Sequence, residues 1–124
     1  MEYKQGSPSH IVYMFYQWYL KADVNAVLDD NIYMYVSERT VDTHRAYYEK
    51  GAVDSDYFTD SQDPDPEWLK TMVVQDERKI SESTYMVTVK FQPASQNGHT
   101  LIVFVDSEPQ GLRITKIENV RGNL

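Results

Sequence analysis

Thr84-Tyr-Met-Val-Thr-Val-Lys-Phe91 is the stretch on which the fold turns. Tyr85, Val87, Val89 and Phe91 alternate with Met86, Thr88 and Lys90. A period of two puts the first set on one face of a strand and the second on the other, so one face is built for a core. Just beyond it, Ser95-Gln-Asn-Gly98 holds the Asn-Gly pair that tolerates the positive φ of a tight hairpin. The same period runs through residues 72–80, 100–106 and 112–120, and Ser107-Glu-Pro-Gln-Gly111 supplies a further turn. Four strands joined by short links form an antiparallel meander.

Upstream the period changes. Ser7 can accept from the first free amides of a helix, and Pro8 is tolerated at its first position. Ile11, Phe15, Trp18 and Tyr19 then recur at helical spacing, widened by Val12 and Met14, which predicts a helix from Pro8 to about Ala22. Residues 23–31 read as a bend anchored by Val24, Val27 and Leu28. Ser37 follows an apolar segment and caps a second helix, from Glu38 to about Lys50, with Gly51 in the position glycine favours after a helix. Val41, Ala46 and Tyr48 are its candidate core contacts, and it is expected to lie more exposed than the first.

Helices first and strands second give an α+β class: N-terminal helices packed on a curved four-stranded antiparallel meander sheet. Residues 8–124 read as a single domain. Residues 1–7 read as a disordered or added N-terminal segment.

Between the helices and the strands the composition shifts. Asp54, Asp56, Asp60, Asp63, Asp65 and Glu67 fall in a stretch without lysine or arginine. Pro64 and Pro66 forbid a regular helix there. Tyr57, Phe58 and Trp68 are large rings that gain from burial, so the stretch reads as an ordered loop pinned by aromatics, with a short helical turn near residues 66–70.

The whole chain has 124 residues, ten tyrosines and a net charge of −7. That charge argues against a nucleic-acid partner, whose phosphates need a basic face, and against an anionic membrane surface. A basic protein is the complementary partner. No cysteine is present, which removes disulfides, thiolate catalysis and zinc–thiolate sites. No apolar run reaches the ~20 residues a membrane span needs. Met1-Glu-Tyr-Lys-Gln-Gly6 lacks the apolar core of a signal peptide. The expectation is therefore a cytoplasmic protein if Met1 is the native start, or a mature envelope protein whose leader has been replaced.

No catalytic residue, cofactor site or metal ligand is assigned. Asp54-x-Asp56 begins like a calcium loop, but Phe58 stands at the fifth position, Thr59 at the glycine position and Asp65 at the twelfth. Capping of local backbone amides is the role expected of Asp56 or Asp63. His10, His44 and His99 have no metal-ligand spacing and read as lone surface residues. There is no G-x-S-x-G elbow and no glycine cluster for phosphate. One enzymatic reading stays open: Tyr57 and a buried Asp56 carrying protons in a pocket under the sheet.

Phe15-Tyr16-x-Trp18-Tyr19-Leu20, Asp56-Tyr57-Phe58, and Gln62-Asp63 followed by Trp68 together resemble a bacterial family, domain of unknown function 3828. Leu112-Arg-Ile-Thr-Lys-Ile117 is similar to that family's last strand, although leucine replaces the tryptophan that often opens it. The resemblance spans residues 8–121. It implies a cystatin-like or nuclear-transport-factor-2-like cone, and an envelope protein that is secreted or lipid-anchored in its precursor. It implies no enzymatic activity. The Asp-Tyr-Phe and Gln-Asp motifs then read as residues that lock the acidic loop onto the sheet.

The function this favours is a non-catalytic envelope protein of immunity type, binding and neutralising a basic toxin or effector. Tyr47, Tyr48, Asp54, Asp56, Tyr57, Asp60, Asp63 and Asp65 are the expected partner-binding residues. The alternative is a small-molecule carrier with an apolar pocket between the first helix and the sheet, a space that Trp18, Phe91 and Phe104 would otherwise fill. An isomerase-like enzyme is the second alternative; it requires Asp56 buried, raised in pKa and facing that pocket.

Overall fold

A computed structural model describes residues 3–22, 26–51, 56–59, 67–91 and 99–120. Helix α1, Pro8–Lys21, starts where the capping pattern places it: the Ser7 hydroxyl accepts from the His10 amide at 3.2 Å. Two 3-10 turns follow, Ala26–Leu28 and Asp30–Met34, and then helix α2, Glu38–Glu49. Ser37 caps α2 by accepting from the Thr40 amide at 3.3 Å. One turn of helix α3, Trp68–Thr71, leads into strands β1, Val73–Lys79, β2, Thr84–Phe91, β3, His99–Glu108, and β4, Gly111–Val120.

Among the described residues the strands form one antiparallel sheet in the order β1-β2-β3-β4. The architecture is α+β, helices against an open four-stranded meander, as the sequence implied. The β3–β4 strands run further into their turn than the sequence suggested, because Gly111 takes φ 124° and closes it in a backbone region that favours glycine. The register shifts in β1 between Gln75 and Arg78, where Asp76 sits at φ 56°, and again where β4 pairs Phe104 and Val105. Such bulges bend a strand and sharpen its twist. The Asn-Gly turn at 97–98 lies outside the described residues.

Alternation on β2 works as read: Val87, Val89 and Phe91 are buried, and Val74, Leu101, Val103, Val105, Ile114 and Ile117 join them on the same face. Val12, Phe15 and Tyr16 of α1 close over that face. Between them the rings interlock. Tyr16 meets Phe91 edge-on at 5.4 Å, Phe15 meets Phe58 at 5.4 Å, and Trp68 stacks on Phe91 at 4.5 Å. Each such ring contributes roughly 1.5–3 kcal/mol by leaving water.

Several expectations are corrected here. The space under the sheet is filled, but by Phe15, Tyr16, Phe58, Trp68 and Phe91. Trp18 lies only partly buried, beside Phe15 and Tyr35, and Phe104 belongs to the opposite face, where Lys116 approaches its ring at 5.5 Å. Of the core contacts expected on α2, Val41 is buried, whereas Ala46 and Tyr48 are exposed. The helix buries Thr40 and Val41 in its first turn and half-buries His44 in the next, and residues 46–50 are exposed. Ahead of α1, Tyr3 packs on Tyr13 at 5.1 Å and its hydroxyl accepts from the Val74 amide at 3.3 Å.

The free side of β4 is covered by its own chain. The Ile114 amide donates to the Tyr35 carbonyl at 2.7 Å, and the Ser37 amide donates to the Ile114 carbonyl at 2.8 Å. The bridge occupies the β4 edge at Ile114, which leaves less of that edge open to another chain.

Candidate functional site

The turn Asp56-Tyr57-Phe58-Thr59 gathers the residues that the sequence singled out. Aspartate followed three residues later by threonine favours a local turn in which the carboxylate accepts from backbone and hydroxyl. Asp56 does this with both oxygens. Oδ1 accepts from the Phe58 amide at 3.2 Å and from the Tyr19 hydroxyl at 2.5 Å, and Oδ2 accepts from the Thr59 hydroxyl at 2.8 Å.

α1 holds the turn from beneath. Tyr16 and Tyr19 stand three residues apart on one helical face, so their hydroxyls reach the same loop. The Tyr16 hydroxyl donates to the Phe58 carbonyl at 2.5 Å, and the Phe58 ring is fully enclosed. From the other side, the Tyr57 hydroxyl accepts the Ile117 amide of β4 at 2.8 Å. The Tyr57 ring stacks on His44 of α2 at 3.7 Å between centroids and 20° between planes. One four-residue turn therefore ties α1, α2 and β4 together.

The electrostatics follow from burial. Loss of water pushes the Asp56 carboxyl above the usual range, while the donors from Tyr19, Thr59 and Phe58 pull it down; burial is the larger effect. The same burial, with Asp56 nearby, raises the hydroxyls of Tyr16 and Tyr19. Tyr57 is raised by burial and eased by its bond to the Ile117 amide. Burial lowers His44, favouring the neutral ring that stacks.

Amide contacts do depress Asp56 as anticipated, yet they do not decide the direction. The enzyme-like requirement of a raised carboxyl is met without the rest of that chemistry. Both carboxylate oxygens are engaged by protein donors, and the Tyr57 oxygen accepts from a strand amide. A base needs a free lone pair within reach of a substrate proton. Among the described residues no group of histidine, aspartate and glutamate side chains converges as a metal site would.

Of the expected partner-binding residues, Asp56 and Tyr57 lie in this lock, and Tyr47 and Tyr48 stand exposed on α2. Asp54, Asp60, Asp63 and Asp65 lie outside the described residues, as does the Gln62-Asp63 motif. Sequence reasoning missed His44, taken for a lone surface histidine, and the pair Tyr16 and Tyr19 as polar rather than only apolar contributors. The spacing of the two tyrosines and the Asp-x-x-Thr pattern could have revealed the second; nothing local marks His44.

No protein-family model matches the sequence, and no curated protein does. Solved structures do. A chain of the type VI native effector–immunity complex Tae3–Tai3 from Ralstonia pickettii is similar at a TM-score of 0.84 and 27% identity, covering 97% of this chain and 100% of that one. The selenomethionine form of that complex gives 0.81 and 27%, over 95% of this chain and 100% of the other. A protein of unknown function from Bacteroides thetaiotaomicron, at 0.60 and 19% identity over 88% of this chain and 86% of its own, shares the fold.

Proposed function

We propose that this chain is an immunity-type protein that binds an effector toxin and neutralises it in the cell envelope. The observation that carries the reading is the match, end to end, to a chain of an effector–immunity complex. Of the two roles in such a complex, the immunity role asks for a surface and no catalytic group. That suits a molecule whose buried carboxylate and tyrosines are committed to holding its own fold.

Charge supports the same reading. A net charge of −7 favours encounter with a basic effector and speeds association at low salt. Asp54, Asp60, Asp63 and Asp65 enter the proposal through this charge, and Tyr47 and Tyr48 as exposed rings of the kind that anchor interfaces. Asp56 and Tyr57 contribute by fixing the turn between them. No helix among the described residues is long and apolar enough to cross a membrane; envelope location, a lipid anchor in the precursor and kinship with the domain of unknown function 3828 family are parts of the proposal. The filled space under the sheet favours this reading over a small-molecule carrier.

Co-purification tests it. The tagged protein, co-expressed with the products of the genes beside its own, is expected to retain one of them through size-exclusion chromatography. Retention of none would remove the proposal.

A further inference from the structure

Helix α1 covers one face of the sheet, and the register fixes what stands on the other. Thr88 pairs with Ile102, which pairs with Glu118; two residues along, Met86 pairs with Phe104, which pairs with Lys116. Paired positions share a face, and all six lie next to buried residues of their strands, so they point away from the core. Met86, Ile102 and Phe104 are half-buried and stand outside the packed core. Val120, at the end of β4, is 44% exposed. The centre of this face is apolar.

The charges around that centre have an order. Lys116 and Glu118 stand two residues apart on β4 and pair at 2.8 Å, both largely exposed. Lys90 is exposed at one end of the face, and Asp106, bonded to the Thr84 hydroxyl, lies at the other. A second copy turned by 180° about a line across the strands, between the Ile102 and Phe104 rows, lies face to face with the first. Lys116 then faces Glu118 of the second copy, and Glu118 its Lys116. Phe104 faces Ile102, Met86 faces Thr88, and Lys90 comes over Thr84 beside Asp106. Among these positions no like charges meet. A two-fold contact uses one patch twice, so that patch has to complement itself, and this one does in both charge and apolar content.

We infer that the open face of the sheet is a self-association surface, on which a second copy of this chain docks with its strands antiparallel to the first and Phe104 near the two-fold axis. Two aligned sheets packed in this way lie about 10 Å apart. The face offers about fifteen residues, against the roughly 20–30 a side of a standard interface, so the dimer is a weak one that forms at micromolar concentration or above. The net charge of −7 on each copy opposes association. Salt confines that repulsion to about 8 Å at physiological strength, and the face itself is not acidic, since Arg78, Lys90 and Lys116 offset Asp106 and Glu118.

Sedimentation equilibrium of the full chain, from low micromolar to near millimolar concentration, tests the inference on three forms. Wild type is expected to pass from monomer to dimer within that range. Glu118→Lys sets lysine against lysine along β4 and is expected to weaken the dimer at least tenfold, with an unchanged melting temperature. That substitution makes the chain less negative by two charges, which by itself favours association, so a weaker dimer has its source in the contact. The double variant Lys116→Glu/Glu118→Lys keeps the net charge, exchanges the two partners, and is expected to dimerise within threefold of wild type. A wild type that stays monomeric throughout would overturn the inference. So would a loss under tenfold from Glu118→Lys, or a double variant as weak as the single one. None of these results bears on the immunity reading, which stands or falls on effector binding.

Discussion

The Tyr16 hydroxyl donates to the carbonyl of Phe58, forty-two residues away, across a bond of 2.5 Å in the middle of the core. Both rings are buried, so the bond is made where water cannot replace it. It fixes the height of the Asp56–Thr59 turn above α1, and with it the stack that supports α2.

Tyr16→Phe keeps the ring and removes only the donor. The enclosed carbonyl of Phe58 then loses that partner, at a cost of about 1–3 kcal/mol. Urea unfolding should show a lower midpoint with an unchanged slope. An unchanged midpoint would mean the bond contributes nothing.

Asp56 gives a test with a definite sign. Its carboxyl is raised in the folded state, so the folded protein holds the proton more tightly than the unfolded chain. Its contribution to stability is greatest below the unfolded pKa, about 3.9, and is lost as pH rises through the folded value. Asp56→Asn should flatten that part of the stability–pH curve while keeping an acceptor for Tyr19 and the Phe58 amide. Asp56→Ala strands those donors and should be less stable than the Asn variant by about 1–3 kcal/mol. Equal stability of the two variants would refute the lock.

His44 has the opposite slope. Its pKa is lowered by burial, so the unfolded chain binds a proton first as pH falls. The stability present above about pH 6.5 is lost on going down through the folded value. His44→Phe keeps a ring against Tyr57 and should remove this acid-side loss. Unfolding midpoints at pH 7.5 and 5.5, compared between the two proteins, measure the difference directly.

Trp68→Ala would open a cavity beside Phe91, where the two rings now stack. A loss of about 3–5 kcal/mol is expected, seen as a fall in thermal midpoint. A loss under 1 kcal/mol would show that α3 is not part of the cooperative core.

Much of this was legible from residues alone. Alternation from Tyr85 to Phe91, the Ser7 and Ser37 caps and the apolar stripe of α1 placed α1, α2 and the described strands to within a few residues, because local period and capping chemistry set them; the 3-10 turn Asp30–Met34 was read only as a bend and an apolar segment. The fate of Asp56 was half legible: its capping of the Phe58 amide is local, but the Tyr19 bond crosses thirty-seven residues. His44 was illegible. Its value comes from Tyr57 and Phe58, which reach it through the tertiary fold, and a histidine on an exposed helix carries no sign of such neighbours. Ala46 and Tyr48 misled for the converse reason. Their helical spacing from Val41 is right for a core face, but the core ends before the helix does.

The central claim is that this protein neutralises an effector by binding it, and survival under attack tests that most directly. Cells exporting the neighbour-encoded effector to their own periplasm should stop growing, and co-export of this protein should restore growth. Growth arrest that persists with the folded protein present in the periplasm would contradict the account.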